Sequence, residues 1–160
     1  IPGRNLGATP FGECWAVKTY VLRGWVQALN SLDTRSYDLG ALKLNCKIGA
    51  STGWFGVRTI SDADLSTNTV VQGYAADRAP PGRQWRSTDK LRFLWELKGF
   101  YQNDTYGGTS GSPVFFGNDR TTIVGVHTNG LHGEEPWKSN NAFTRITVER
   151  LSRISQWIAD

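Results

Sequence analysis

Histidine is the residue most conspicuously scarce in this chain: 160 residues hold two histidines, two cysteines and no methionine. Cysteine and histidine nowhere occur together at ligand spacing, which argues against a zinc or other metal centre, and no cofactor is expected. The only cysteines, Cys14 and Cys46, lie in apolar, strand-like stretches. A single disulfide, two buried thiols, or a partner for Cys14 outside the chain all fit them. No stretch approaches the roughly 20 consecutive apolar residues that span a bilayer, so no membrane partner is expected. The opening Ile1-Pro2-Gly3-Arg4-Asn5 is polar and turn-like, not a signal peptide, so a secreted form would already have lost its targeting segment.

Charge is present but diffuse. The net charge is +4, and the densest basic cluster is Arg78, Arg83, Arg86, Lys90 and Arg92, interleaved with Trp85. Basic residues among aromatics can bind nucleic acid. A solvated face is the preferred reading here, and no nucleic-acid partner is expected. A positive field would favour encounter with acidic substrates.

Short runs rich in β-branched and aromatic residues recur between Gly, Pro, Asn and Asp. They predict strands over Cys14–Leu22, Ala41–Leu44, Thr69–Tyr74, Leu91–Leu97, Pro113–Phe116, Ile123–Thr128 and Ala142–Arg145. Eighteen glycines suit tight turns between them. The end of the chain changes period: Val148, Leu151, Ile154, Trp157 and Ile158 follow a helical rhythm, with Thr147 as N-cap and Glu149 early in the first turn. The expected fold class is all-β, a barrel-like body closed by one C-terminal helix.

The chemistry concentrates in Gly108-Thr109-Ser110-Gly111-Ser112-Pro113, a glycine-rich turn ahead of the apolar run Val114-Phe115-Phe116. A nucleophilic serine needs its hydroxyl clear of the backbone and amides aimed at the oxygen that becomes negative. Glycines at 108 and 111 permit the turn and leave room for a substrate carbonyl. The plain alternative is a Ser/Gly hairpin.

The wider context, Asp104-Thr105-Tyr106-Gly107 before that turn and Gly125-Val126-His127-Thr128-Asn129-Gly130 after it, resembles the glutamyl endopeptidases of the chymotrypsin superfamily. The bacillary members look closest, the staphylococcal ones more distant. Tyr37-Asp38-Leu39-Gly40-Ala41-Leu42-Lys43-Leu44 is similar to the strand that carries their catalytic aspartate, and Thr69–Tyr74 with Gln84-Trp85 to the first hairpin of their second barrel. The resemblance covers nearly the whole chain. It implies a chymotrypsin-like double β-barrel, with residues 1–52 a partial first barrel carrying the aspartate, 53–146 the second barrel, and 147–160 the terminal helix. It implies Ser110 as nucleophile, Asp38 as the residue orienting the catalytic histidine, the N–H groups of Gly108 and Ser110 as oxyanion hole, and Thr105 and His127 as the specificity pocket. An imidazole and a hydroxyl can both donate to a substrate carboxylate. Taken alone, His127 reads as a core residue of its strand and Asp38 as an ordinary strand-edge aspartate. The sequon Asn103-Asp104-Thr105 lies against the proposed pocket and is read as coincidence.

One part is lacking. The family's general base is a histidine upstream of the aspartate, and this chain has no histidine before His127. His127 is needed at the pocket wall, and His132 reads as a surface loop residue. Residues 1–52 are too few for a closed barrel at ordinary strand lengths. The family's free N-terminus, which helps balance the acidic side chain, has no equivalent here. The expectation is therefore a secreted serine endopeptidase, or its C-terminal portion, cutting protein or peptide substrates after glutamate, with aspartate left open, through an acyl-enzyme. A missing N-terminal segment or chain supplies the histidine. The competing expectations are a catalytically inactive protease-like domain that binds protein, favoured by seven tryptophans, and a carbohydrate-binding β-sandwich, which leaves the serine turn and the helix unexplained.

Overall fold

Residues 1–28 and 31–160 are described by a computed structural model of the chain. Its N-terminal part is thin. Strand β1 (Ala16–Val21) pairs antiparallel with β2 (Gly40–Leu44) as a separate two-stranded sheet. Between them run two short helices, α1 (Arg23–Gln27) and α2 (Ser31–Ser36), and α3 (Gly49–Thr52) follows. Cys14 and Cys46 are joined in a disulfide across the start of this sheet, with Cα atoms 5.8 Å apart. Two strands cannot bury both faces, so Val17, Val21, Leu42 and Leu44 remain exposed. Among the described residues of this half, Leu39 is the buried apolar one.

The second sheet holds the core. Strands β3 (Gly56–Val57), β4 (Asn68–Gly73), β5 (Trp85–Lys90), β6 (Phe93–Leu94), β7 (Lys98–Tyr101), β8 (Pro113–Phe116), β9 (Asp119–Asn129) and β10 (Asn141–Arg145) form eight strands. Their order is β5-β4-β8-β9-β10-β7-β6, with β3 beside β9 in parallel. The sheet curls around Val71, Leu91, Tyr101, Val114, Val124 and Phe143. The Phe143 ring takes room left by one glycine in each flanking strand: a Cβ at Gly99 or Gly125 would stand 2.1 or 2.3 Å from it. A second cluster, Phe100, Trp137 and Ala142 with Phe93, forms separately from it. Alternation along β7 explains the division, since Tyr101 belongs to the first cluster and Phe100 to the second.

Helix α4 (Val148–Ala159) starts where expected, with the Thr147 hydroxyl accepting from the Arg150 N–H. Leu151, Ile154 and Trp157 are half-buried, and Trp157 stacks on Tyr20 of β1 at 5.8 Å. Val148 and Ile158, read as part of the same apolar stripe, are exposed, because the thin N-terminal sheet offers too little surface to cover them. The predicted strand over 91–97 also differs. It holds β6 alone, and β7 begins one residue beyond it, since Trp95–Leu97 make a turn closed by Trp95 N–H donating to the Lys98 carbonyl at 2.8 Å.

Candidate functional site

The segment between β7 and β8 makes the site. Thr109 N–H donates to the Tyr106 carbonyl at 3.0 Å and Ser112 N–H to the Thr109 carbonyl at 3.0 Å, folding two successive turns. Gly111 N–H then donates to the His127 carbonyl at 2.8 Å, and His127 N–H to the Ser112 carbonyl at 2.9 Å. These bonds hold the serine turn against β9. Gly108 has φ +97° and lies where a Cβ would stand 2.6 Å from the Tyr74 carbonyl oxygen, so no other residue fits without strain. Gly111, at φ +86°, completes the turn.

The result is an exposed Ser110 whose hydroxyl has no hydrogen-bond partner among the described residues. The N–H groups of Gly108 and Ser110 likewise donate to no acceptor among the described residues. Ser110, Thr105 and His127 all line one cleft of about 790 Å³, which continues past Tyr106, Gly130 and Leu131. Three of the expected residues are thus brought together.

His127 is 2% exposed. Its Nδ1 is hydrogen-bonded to the Tyr101 hydroxyl at 2.8 Å, and the two rings stack at 6.0 Å. Burial pushes the imidazole down to about 4, helped by the Lys98 charge, so it is neutral near pH 7. Burial holds the Tyr101 phenol well above its ordinary value, which keeps it an O–H donor or acceptor and never a phenolate at neutral pH. Tyr101 was not among the residues expected from sequence. β10 lies between the strands of the two residues, so the sequence carried no local signal of their contact.

Asp38 stands apart from the cleft. It is half-buried at the end of the loop after α2, its N–H donating to the Arg35 carbonyl at 3.5 Å. Burial raises its carboxyl, and the Lys98 charge opposes that rise. His132, expected at the surface, is half-buried instead. Its Nδ1 meets the Gly130 carbonyl at 2.7 Å, its Nε2 meets Arg35 at 2.5 Å, and its ring packs on Trp137. Asn103 of the sequon is 1% exposed and bonded to Thr69 and Asn141, which leaves its amide no room for a glycan. The basic cluster is partly spent on ion pairs, Arg78 with Asp104 and Arg92 with Asp89. Among the described residues, no group of three or more His, Cys, Asp or Glu could hold a metal ion.

No family model matches the chain. Curated relatives do. A glutamyl endopeptidase of Bacillus licheniformis is 34% identical over 162 residues, covering 98% of this chain and 48% of that protein. A protein named extracellular metalloprotease from Bacillus subtilis is 35% identical over 159 residues, covering 98% of this chain and 47% of its own length. The chain therefore spans about half the length of these relatives. Among solved structures, a Glu endopeptidase in complex with MPD superposes with a TM-score of 0.81 over 94% of this chain and 66% of its own, at 23% identity. The protease Anisep from Arthrobacter nicotinovorans gives 0.74 over 96% and 71%, at 20% identity. Those two likenesses establish the fold, with its first barrel incomplete. With its 34% identity to the Bacillus licheniformis enzyme over 98% of this chain, that fold makes the chain similar to the glutamyl endopeptidases, the chymotrypsin-fold serine proteases that its sequence resembles.

Proposed function

We propose that this chain is the nucleophile-bearing portion of a secreted serine endopeptidase that cuts after glutamate. The observation that carries the reading is the convergence of Ser110, Thr105 and His127 on one cleft, with Ser110 unpartnered among the described residues. Ser110 attacks the scissile carbonyl, the developing oxyanion is met by the N–H groups of Gly108 and Ser110, and water later hydrolyses the acyl-enzyme. A neutral His127 whose Nδ1 accepts from Tyr101 carries its proton on Nε2, which then donates with the Thr105 hydroxyl to the substrate glutamate. Asp38 orients a base supplied by a histidine outside this sequence, since His127 is held by Tyr101 and His132 by Arg35 and Gly130. Residues 1–52 are the aspartate-bearing part of the first barrel, 53–146 the second barrel and 147–160 the closing helix. The name of the Bacillus subtilis relative, an extracellular metalloprotease, and the Cys14–Cys46 bond support an extracellular setting.

The test is reaction with a fluorophosphonate probe and a fluorogenic Glu-containing peptide, against Ser110→Ala. Labelling that persists in Ser110→Ala, or a preference unchanged in His127→Ala, refutes the nucleophile or the pocket respectively. A second reading, a protease-like domain that only binds protein, is favoured by the exposure of Trp15, Trp25 and Trp54. It predicts peptide binding with no Ser110 chemistry even when a histidine is supplied.

A further inference from the structure

Tyr74 follows directly on β4, and the chemistry above does not use it. It is half-buried, and its hydroxyl donates to the Arg4 carbonyl at 2.8 Å. At the far end of the same loop, Leu6 N–H donates to the Gly82 carbonyl at 2.8 Å. Residues 4–6 are thereby strapped across 74–82. The strap has a shape of its own. Asn5 and Ala8 exchange backbone bonds of 3.1 and 2.9 Å, and Arg4 Nε donates to the Leu6 carbonyl at 3.1 Å. Between strap and loop a cavity of about 510 Å³, lined by Arg4, Tyr74, Ala76 and Pro81 among others, stays open. Packing is slight there, so the hydrogen bonds carry the contact. Among the described residues, Tyr74 makes the one side-chain hydrogen bond between the two segments.

The other side of the loop bears on the serine turn. Ala76 N–H donates to the Gly107 carbonyl at 2.9 Å, and a Cβ on Gly108 would stand 2.6 Å from the Tyr74 carbonyl oxygen. The Gly107 carbonyl and the Gly108 N–H are opposite ends of one planar trans peptide, so they point opposite ways and turn together. Anchoring the carbonyl on Ala76 therefore sets where the Gly108 N–H is aimed. Nothing within the peptide itself does so. Both residues are glycines, free to take either sign of φ at little cost, and Gly107 has open space where a Cβ would stand. Turned over, the same peptide would present its carbonyl oxygen, not its N–H, to a developing negative charge.

We propose that Tyr74 is a positioning residue for the Gly108 oxyanion donor: bound to the Arg4 carbonyl, its side chain seats the segment 74–76, and Ala76 N–H then holds the Gly107–Gly108 peptide in the donor orientation. The inference rests on the reading of the Gly108 N–H as an oxyanion donor. The strap lies in the same stretch, 1–52, that carries Asp38, so that stretch serves the oxyanion donor as well as the base. The Tyr74 bond is open to solvent, and its loss loosens the seat without removing it.

The test compares wild type with Tyr74→Phe, which keeps the ring and removes the donor, in two settings. In the nitrogen-15-labelled chain, the Gly107 and Gly108 amide resonances are expected to shift and broaden while the His127 amide stays in place. A Gly108 resonance that does not move overturns the proposal, whatever the enzyme does. In enzyme supplied with its histidine segment, kcat on a Glu-containing peptide is expected to fall about threefold to tenfold with KM unchanged. A glutamyl trifluoromethyl ketone, whose hemiketal oxyanion mimics the transition state, should weaken by the same factor, and a product peptide ending in glutamate should bind as before. Equal weakening of the two ligands, or an unchanged kcat, overturns the role of Tyr74. The amide readout involves no Ser110 chemistry. An unreactive Ser110 in wild type therefore sinks the protease reading and leaves the coupling of Tyr74 to Gly108 to be decided by the spectrum. Ala76→Pro, which removes the anchoring N–H itself, is expected to cost about 10²–10³ in kcat. Where that variant does not fold, Tyr74→Phe alone decides.

Discussion

At the scale of single residues, Gly108 is the least replaceable part of the serine turn. Its φ of +97° and the Tyr74 carbonyl 2.6 Å from any added Cβ leave Gly108→Ala no relaxed conformation. The substitution is expected to lower stability by about 1–3 kcal/mol, seen as a lower urea midpoint, and to displace the Ser110 N–H enough to abolish probe reaction. His127 is expected to leave a pH signature. Its imidazole is pushed down to about 4 from an ordinary 6.5, so between those values the unfolded chain binds more protons than the folded one. Stability should therefore fall as pH drops from 6.5 towards 4, and His127→Gln should flatten that slope in pH-dependent urea unfolding. Ser110, Thr105 and His127 were singled out in the sequence by motif order, and they share one cleft. Lys98 was not, since a lysine between Leu97 and Gly99 reads as the end of an apolar run, and only the pairing of β7 with β10 shows that it is enclosed.

At the scale of elements, α4 is anchored from its first turn. Thr147→Ala removes the hydroxyl that accepts from Arg150 N–H and should cost about 1 kcal/mol, measured as a lower melting midpoint. Arg150→Met should cost more, because three carbonyls lose their shared donor. Strand β8 matched its sequence signal residue for residue, and α4 came within one residue, since each carries an uninterrupted period and a clear boundary. Strand β5, Trp85-Arg86-Ser87-Thr88-Asp89-Lys90, was anticipated only at Trp85, through the likeness of Gln84-Trp85 to a hairpin, because it is the polar, half-solvated edge of the sheet. Helices α1 and α2 also lay outside the expected pattern. Their sequences carry no apolar stripe.

At the scale of the whole molecule, the two halves differ in how much they bury. The eight-stranded sheet encloses two clusters, whereas the β1–β2 sheet leaves apolar side chains in water. Binding of a hydrophobic dye by the chain, and its loss on adding the histidine-bearing segment, is the expected consequence. Lys98 also sets a global pH response. Burial brings its ammonium down to about 7 from 10.5, so the unfolded chain binds more protons across that window and stability should rise as pH increases from 7 to about 10. Lys98→Met should remove the rise. Underneath these effects lies the claim that the nucleophile is here and the base is not. Its most direct measurement is mass-spectrometric mapping of fluorophosphonate labelling on this chain, alone and after co-folding with the histidine-bearing segment that the family resemblance places upstream of Asp38. The account predicts little labelling alone, and labelling at Ser110 once the segment is added. Equal, rapid labelling of Ser110 in the isolated chain, or none with the segment present and the complex folded, would contradict it.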